Sequence, residues 1–151
     1  MRRIAAGLAA AAVALTAAVT GASPASAAPT LRFHGAQYDS PGTDNRSNAS
    51  LNAEWISLVN TGRRAVNLRG YTIRDRTGHT YRFGAVSIAA NGGRLWVRTG
   101  SGTNAGRTLY WGSRAYIWNN TGDTAYLRTA AGTNVDSCSW GYRSGRTWVA
   151  C

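Results

Sequence analysis

The chain has 151 residues, with seventeen arginines, no lysine and six acids, for a formal net charge of +11 at pH 7. Its length suits one domain, and two histidines, two cysteines and six carboxylates supply little for a metal centre or a hydrolytic site. Such a basic surplus points to anionic partners: nucleic acid, teichoic acid, acidic polysaccharide or lipid head groups.

The chain opens as an export signal. Arg2 and Arg3 form a positive head, Ile4 to Val19 is apolar and Ala-rich, Pro24 breaks the helix, and Ala25-Ser26-Ala27 supplies small residues for cleavage. The cut is expected after Ala27, with Ala28 as the alternative. A retained membrane helix competes, but it usually needs ~20 strongly apolar residues. The arginine pair stands at the very start with no Phe-Leu after it, which favours the general export route over the twin-arginine one. Residues 28–151 then form the exported domain, with fifteen arginines against six acids and a charge of about +9. No later apolar run is long enough to span a bilayer, so a secreted protein is expected, free or held at the cell wall, with no stable membrane insertion after signal removal. The bias to Arg, Ala and Gly suits a GC-rich genome, which explains the absence of lysine but not the scarcity of acids.

Beyond the signal no window shows helical spacing. Short alternating runs bounded by Gly and Asn turns predict an all-β sandwich or barrel of about nine or ten short strands. Leu31 to Tyr38 is the first strand, and residues 39–52 read as a polar, mobile loop. Glu54 to Asn60 follows, with Ile56 and Leu58 on one face; Ala65 to Leu68 is a short extended piece. Tyr71 to Arg74 and Thr80 to Phe83 flank the turn Asp75-Arg76-Thr77-Gly78, with Tyr71, Ile73, Tyr81 and Phe83 inward. Val86 and Ile88 lead to another turn. Arg94 to Arg98 then places Leu95 and Val97 on one face, and Arg94, Trp96 and Arg98 on the other. Residues 99–108 read as a Gly-rich connector, since they lack the Walker spacing and no helix follows. Two aromatic runs, 109–111 and 116–118, bracket Gly-Ser-Arg. Thr124 to Thr129 and Thr133 to Trp140 pair as a hairpin.

Cys138 and Cys151 are expected to bond in an oxidising compartment. The midpoint between them falls at Ser144 and Gly145, so a C-terminal hairpin closed by the disulfide is predicted, worth roughly 2–3 kcal/mol.

Tests for chemistry are mostly negative. The nucleophile elbow, the His-Glu-X-X-His pattern and the paired Cys-X-X-Cys are all missing. Asp39, Asp44, Asn45 and Asn48 lack the spacing of a calcium loop. A hydrolase would draw on Glu54, His34 and His79. Glu54, however, is in phase with Ile56 and Leu58, where a carboxylate serves the backbone or an arginine. No catalytic, metal or cofactor residue is assigned. A histidine facing an acid across a cleft is the observation that would favour a hydrolase. Most aromatic rings are expected in the core. Trp96 is the exception: with Arg94 and Arg98 it makes a ladder for a phosphate backbone and a stacked base, or for cation–π packing alone. Arg107 and Arg114 lie near it in sequence.

Two ordered motifs carry a resemblance. The first comprises Glu54, Trp55, Ile56, Leu58, Asn60, Val66, Leu68, Gly70, Tyr71, Ile73 and Asp75. The second comprises Trp118, Asn120, Gly122, Asp123, Leu127, Gly132 and Val135. Together they resemble the lamin tail domain family in its secreted bacterial form, with Tyr71 where the family more often has Trp. The resemblance implies an immunoglobulin-like β-sandwich that acts as an interaction module rather than an enzyme. Combined with the charge, it leads to a non-enzymatic module for anionic polymers, extracellular DNA or the cell envelope. A protein-interaction or structural envelope module is the alternative, and a small secreted hydrolase a remoter one. The candidate polyanion surface is Arg94, Trp96, Arg98, Arg107 and Arg114.

Overall fold

The computed structural model describes residues 29–151, so the export signal read over residues 1–27 lies outside the described residues. In chain order the elements are β1 (Leu31–Gln37), α1 (Asn48–Ala53), β2 (Trp55–Asn60), β3 (Val66–Asn67), β4 (Thr72–Arg74), β5 (Thr80–Arg82), β6 (Ser87–Ile88), β7 (Gly93–Arg98), β8 (Thr108–Tyr110), β9 (Gly122–Arg128), β10 (Asn134–Gly141) and β11 (Trp148–Ala150). A five-stranded sheet runs β11-β1-β2-β7-β8, a four-stranded sheet β10-β9-β4-β5, and β3 pairs with β6. Pairing is antiparallel except between β7 and β8, which the connector after β7 joins in parallel.

Strand alternation builds the core. Val149, Ala36, Ile56, Val97 and Leu109 occupy one register row across the five-stranded sheet, and all are buried. The four-stranded sheet answers with Ile73, Ala125, Leu127 and Trp140. Burying each large aliphatic side chain contributes about 1.5–3 kcal/mol. A chain of rings crosses this interior: Tyr38 stacks on Trp140 at 5.2 Å, and Trp140 meets Trp118, Trp118 meets Trp111, and Trp111 meets Tyr81 at 5.5 to 5.9 Å.

Three expectations change. Residues 48–53 form a helix where none was read. Ser47 caps it by accepting from the Ser50 amide. The helix has under two turns and buries only Leu51, so no periodicity announces it. The run 116–118 is not a strand; the Ile117 and Trp118 amides turn instead to the Glu54 carboxylate.

The third change is at the C-terminus. The Cys138–Cys151 bridge forms, with a Cα separation of 5.6 Å, but no hairpin accompanies it. β10 pairs with β9, whereas β11 crosses to the other sheet and pairs with β1. The disulfide therefore joins the two sheets across an arch. Cysteine spacing sets a loop length, which an arch satisfies as well as a hairpin. Pairing with β1 buries Val149, and Gly35 permits the approach: a Cβ there would lie 2.8 Å from the Val149 carbonyl. Asp136 adds a second link between the layers, its Oδ2 accepting from the Phe33 amide at the β1 bulge, 2.8 Å away.

Candidate polyanion-binding face

The outward row beside the buried one reads Trp148, Gln37, Trp55, Arg98, Tyr110, in register across all five strands. The next outward row is Ala150, Gly35, Ser57, Trp96, Thr108, and beyond it stand Arg32, Val59 and Arg94. Trp148 is 53% exposed, while Trp55 and Trp96 are half-buried. Gly35, Ser57 and Val59 are buried although they belong to this face. The larger side chains around them therefore lie over the sheet.

Arg94, Trp96 and Arg98 do share one face of β7, opposite buried Leu95 and Val97. Arg98 reaches back to the Asn52 carbonyl. Arg107 is exposed in the turn closed by the Ala105–Thr108 bridge, and Arg114 is exposed in the loop after β8, where it and Arg46 border a cleft. Arg107 adjoins the ladder through its carbonyl, which accepts from the Trp96 amide at 2.8 Å, whereas Arg114 follows β8 by four residues. The arginines do not gather on one sheet, because Arg74, Arg82 and Arg128 occupy the outward rows of the four-stranded sheet. What distinguishes the five-stranded face is its three tryptophans, where the outward rows of the four-stranded sheet carry Tyr126. Trp55 was legible as outward, being out of phase with Ile56 and Leu58. Trp148 was not, since its place depends on the pairing of β11 with β1.

Three of the six acids, Glu54, Asp75 and Asp123, go inward. Glu54 is fully buried; its Oε1 accepts from Thr99 Oγ1 at 2.6 Å and from the Ile117 amide at 2.8 Å, while Oε2 has no partner. Burial pushes its carboxyl up to about 7, against the pull of those hydrogen bonds. Asp123 accepts from the amides of Arg76, Asn119 and Thr124. Asp75 accepts from Thr77 Oγ1, from the amides of Gly78 and His79, and from His79 Nδ1 at 2.7 Å. Burial raises the Asp75 carboxyl, but these bonds outweigh it and hold it below its ordinary value. Asn60 clamps the next turn, donating to the Arg64 carbonyl and accepting from the Gly62 amide.

These internal clamps are motif residues, and the Lamin Tail Domain pattern matches residues 24–142. The chain belongs to the lamin tail domain family. No curated protein matches it. The lamin tail domain is immunoglobulin-like, and such a module is compatible with a binding or structural role. In this lamin tail domain, Glu54 holds the 117–118 segment to the start of β2 and Asp123 holds the β9 turn. Asp75 ties the β4–β5 hairpin. They serve the fold, as the phase of Glu54 suggested.

The histidines divide. Burial, then the charges of Arg94 and Arg32, hold His34 below its ordinary range, and no acid pairs with it among the described residues. His79 does meet a carboxylate, Asp75, beside an open cleft of about 380 Å³ that Tyr116 and Trp118 also line. That is the arrangement named above as favouring a hydrolase. The carboxylate, however, is 1% exposed and is engaged by its own turn on every side. The Thr77 hydroxyl lies 3.0 Å from His79 Nδ1 and donates to Asp75. The histidine completes a hairpin lock.

Proposed function

We propose that this lamin tail domain is a secreted, non-enzymatic module that binds anionic polymers, extracellular DNA or polymers of the cell envelope. The sorting of charge carries this reading. Among the described residues the one ion pair is His79–Asp75, so no arginine is neutralised by an acid. Glu54, Asp75 and Asp123 are spent inside the fold, which leaves guanidinium groups as the main outward charge. A polymer that meets several of them releases its counterions, and affinity then falls steeply with salt. The disulfide suits an oxidising compartment, and among the described residues no helix is long and apolar enough to cross a membrane. Retention of the purified protein on DNA and on teichoic acid, measured across a salt series, tests the proposal. Binding at low salt that weakens as salt rises is expected; no retention on either polymer at low salt ends it.

A protein-interaction or structural envelope role draws on a different observation, the exposure of Tyr142 at 71% and Trp148 at 53%. Capture of a protein from wall or secreted fractions that persists at high salt would favour that role.

A further inference from the structure

We infer that the outer face of the five-stranded sheet is a glycan platform. It takes one extended, acidic β-1,4-linked polysaccharide chain, laid across the strands along Trp148, Gln37, Trp55, Arg98 and Tyr110. This rests on the polyanion reading and narrows it to one site and one polymer class.

The row alternates ring, polar group, ring, polar group, ring. Successive rings are two strands apart, roughly 10 Å. That spacing is the length of a disaccharide in an extended β-1,4-linked chain, which presents the same sugar face once per disaccharide. Trp55 and Trp148 are not part of the core cluster and pair with no other aromatic ring among the described residues. Trp55 is half-buried on the same outward face as buried Gly35 and Ser57, and an aromatic ring so placed suits stacking on a pyranose. The Gly102 backbone lies over one face of Tyr110, where a Cβ would come within 2.5 Å of the ring, so Tyr110 closes the end of the row while Trp148 and Trp55 carry the stacking.

The polar groups between the rings are pre-set. Gln37 Nε2 donates to the Asp39 and Thr147 carbonyls, which turns Oε1 into a free acceptor for a hydroxyl. Arg98 spends Nη1 on Asn52 and keeps its other donors. An acceptor and a cation thus alternate along the row, suited to hydroxyls and to an occasional carboxylate.

Charge density argues for sugar over nucleic acid. A single-stranded nucleic acid carries a phosphate for every base, whereas this row holds one guanidinium among three rings. Arg32 and Arg94 give the face its positive field but stand four residues along the strands, roughly 13 Å away. Neighbouring strands rotate by about 20–25°, so successive rings turn by roughly 40–50°. A free single chain can follow that turn; the flat face of a crystalline polymer cannot.

The test titrates the disulfide-intact protein at low salt with four probes: β-1,4-linked polymannuronate, neutral cellohexaose, dextran sulfate and oligo-dT. Tryptophan fluorescence and affinity electrophoresis report binding. Polymannuronate is expected to bind tightest. W148A is expected to weaken it by about tenfold, the scale of one lost stacking contact, and Q37A by about fivefold, the scale of one lost hydrogen bond, with dextran sulfate binding unchanged. The unfolding curve of W148A should match the parent, which separates lost contact from lost fold; Q37A also loses its bonds to the Asp39 and Thr147 carbonyls, so its binding is compared at a temperature where its own unfolding curve shows it folded. If dextran sulfate binds as tightly and neither variant matters, the platform is overturned while the polyanion reading stands. Cellohexaose binding as tightly as polymannuronate overturns the acidic requirement. If oligo-dT binds tightest and W148A abolishes it, the occupant is nucleic acid and the glycan proposal falls. Binding of no charged probe overturns both readings.

Discussion

Two sets of tryptophans occupy this small sandwich under opposite rules. Trp111, Trp118 and Trp140 belong to the ring chain across the interior, where each meets at least one other ring. Trp55, Trp96 and Trp148 lie on the outer face of the five-stranded sheet and meet no other ring among the described residues. The same side chain is scaffold in one place and available surface in the other. Strand phase and strand partner decide which. A high tryptophan content is therefore no evidence for a binding surface until the rings are assigned to faces.

The contrast can be broken by substitution. Trp118→Ala should cost about 3–5 kcal/mol, since it leaves a ring-sized cavity at the sheet–sheet interface. A denaturant midpoint close to the parent's would mean that the ring chain does not hold the layers together. Replacing both cysteines by serine should cost roughly 3 kcal/mol on the chain-entropy estimate. Hydrogen exchange should then rise first at Val149, paired with Ala36, and at Cys151's position, whose amide reaches the His34 carbonyl. Equal loosening throughout would show that β11 is not the separable element.

Glu54 sharpens the contrast through pH. Its folded value is raised, so its stabilising contribution is complete below about 4.5 and is lost as pH rises through about 7. Between pH 5 and 8 the parent should lose up to about 3 kcal/mol that E54Q does not lose. Parallel pH profiles for the two proteins would rule this out. Asp75 acts in the opposite sense: its contribution is present above its ordinary value and fades as pH falls below it. Tyr38→Phe removes only the hydroxyl that reaches the Arg146 carbonyl at 2.8 Å, and should cost about 1 kcal/mol. W148A should be the mildest, within about 0.5 kcal/mol in unfolding curves. A larger loss would place Trp148 with the scaffold set.

The sandwich was legible because its inner rows follow strict alternation: Ile56 with Leu58, Leu95 with Val97, Ile73 alone in its short strand. The inward path of Glu54 was legible for the same reason. The partner of β11 was not. Pairing of Gln37 with Trp148 joins segments at opposite ends of the described chain, and nothing in local spacing encodes such a register. The five-residue outer row was therefore visible only in pieces. α1 escaped notice because a single buried leucine makes no period. Charge was legible in amount while its arrangement was left open, since four of the six acids turn to backbone amides and the arginines spread over both sheets.

The arch over residues 141–147 is largely exposed, and the disulfide spans it from behind. A protease that severed this arch would cut the backbone without releasing β11, because Cys151 would still be bonded to Cys138. A molecule nicked there would keep Trp148 in its row, so the face could outlast digestion in a protease-rich medium until a reductant freed the strand.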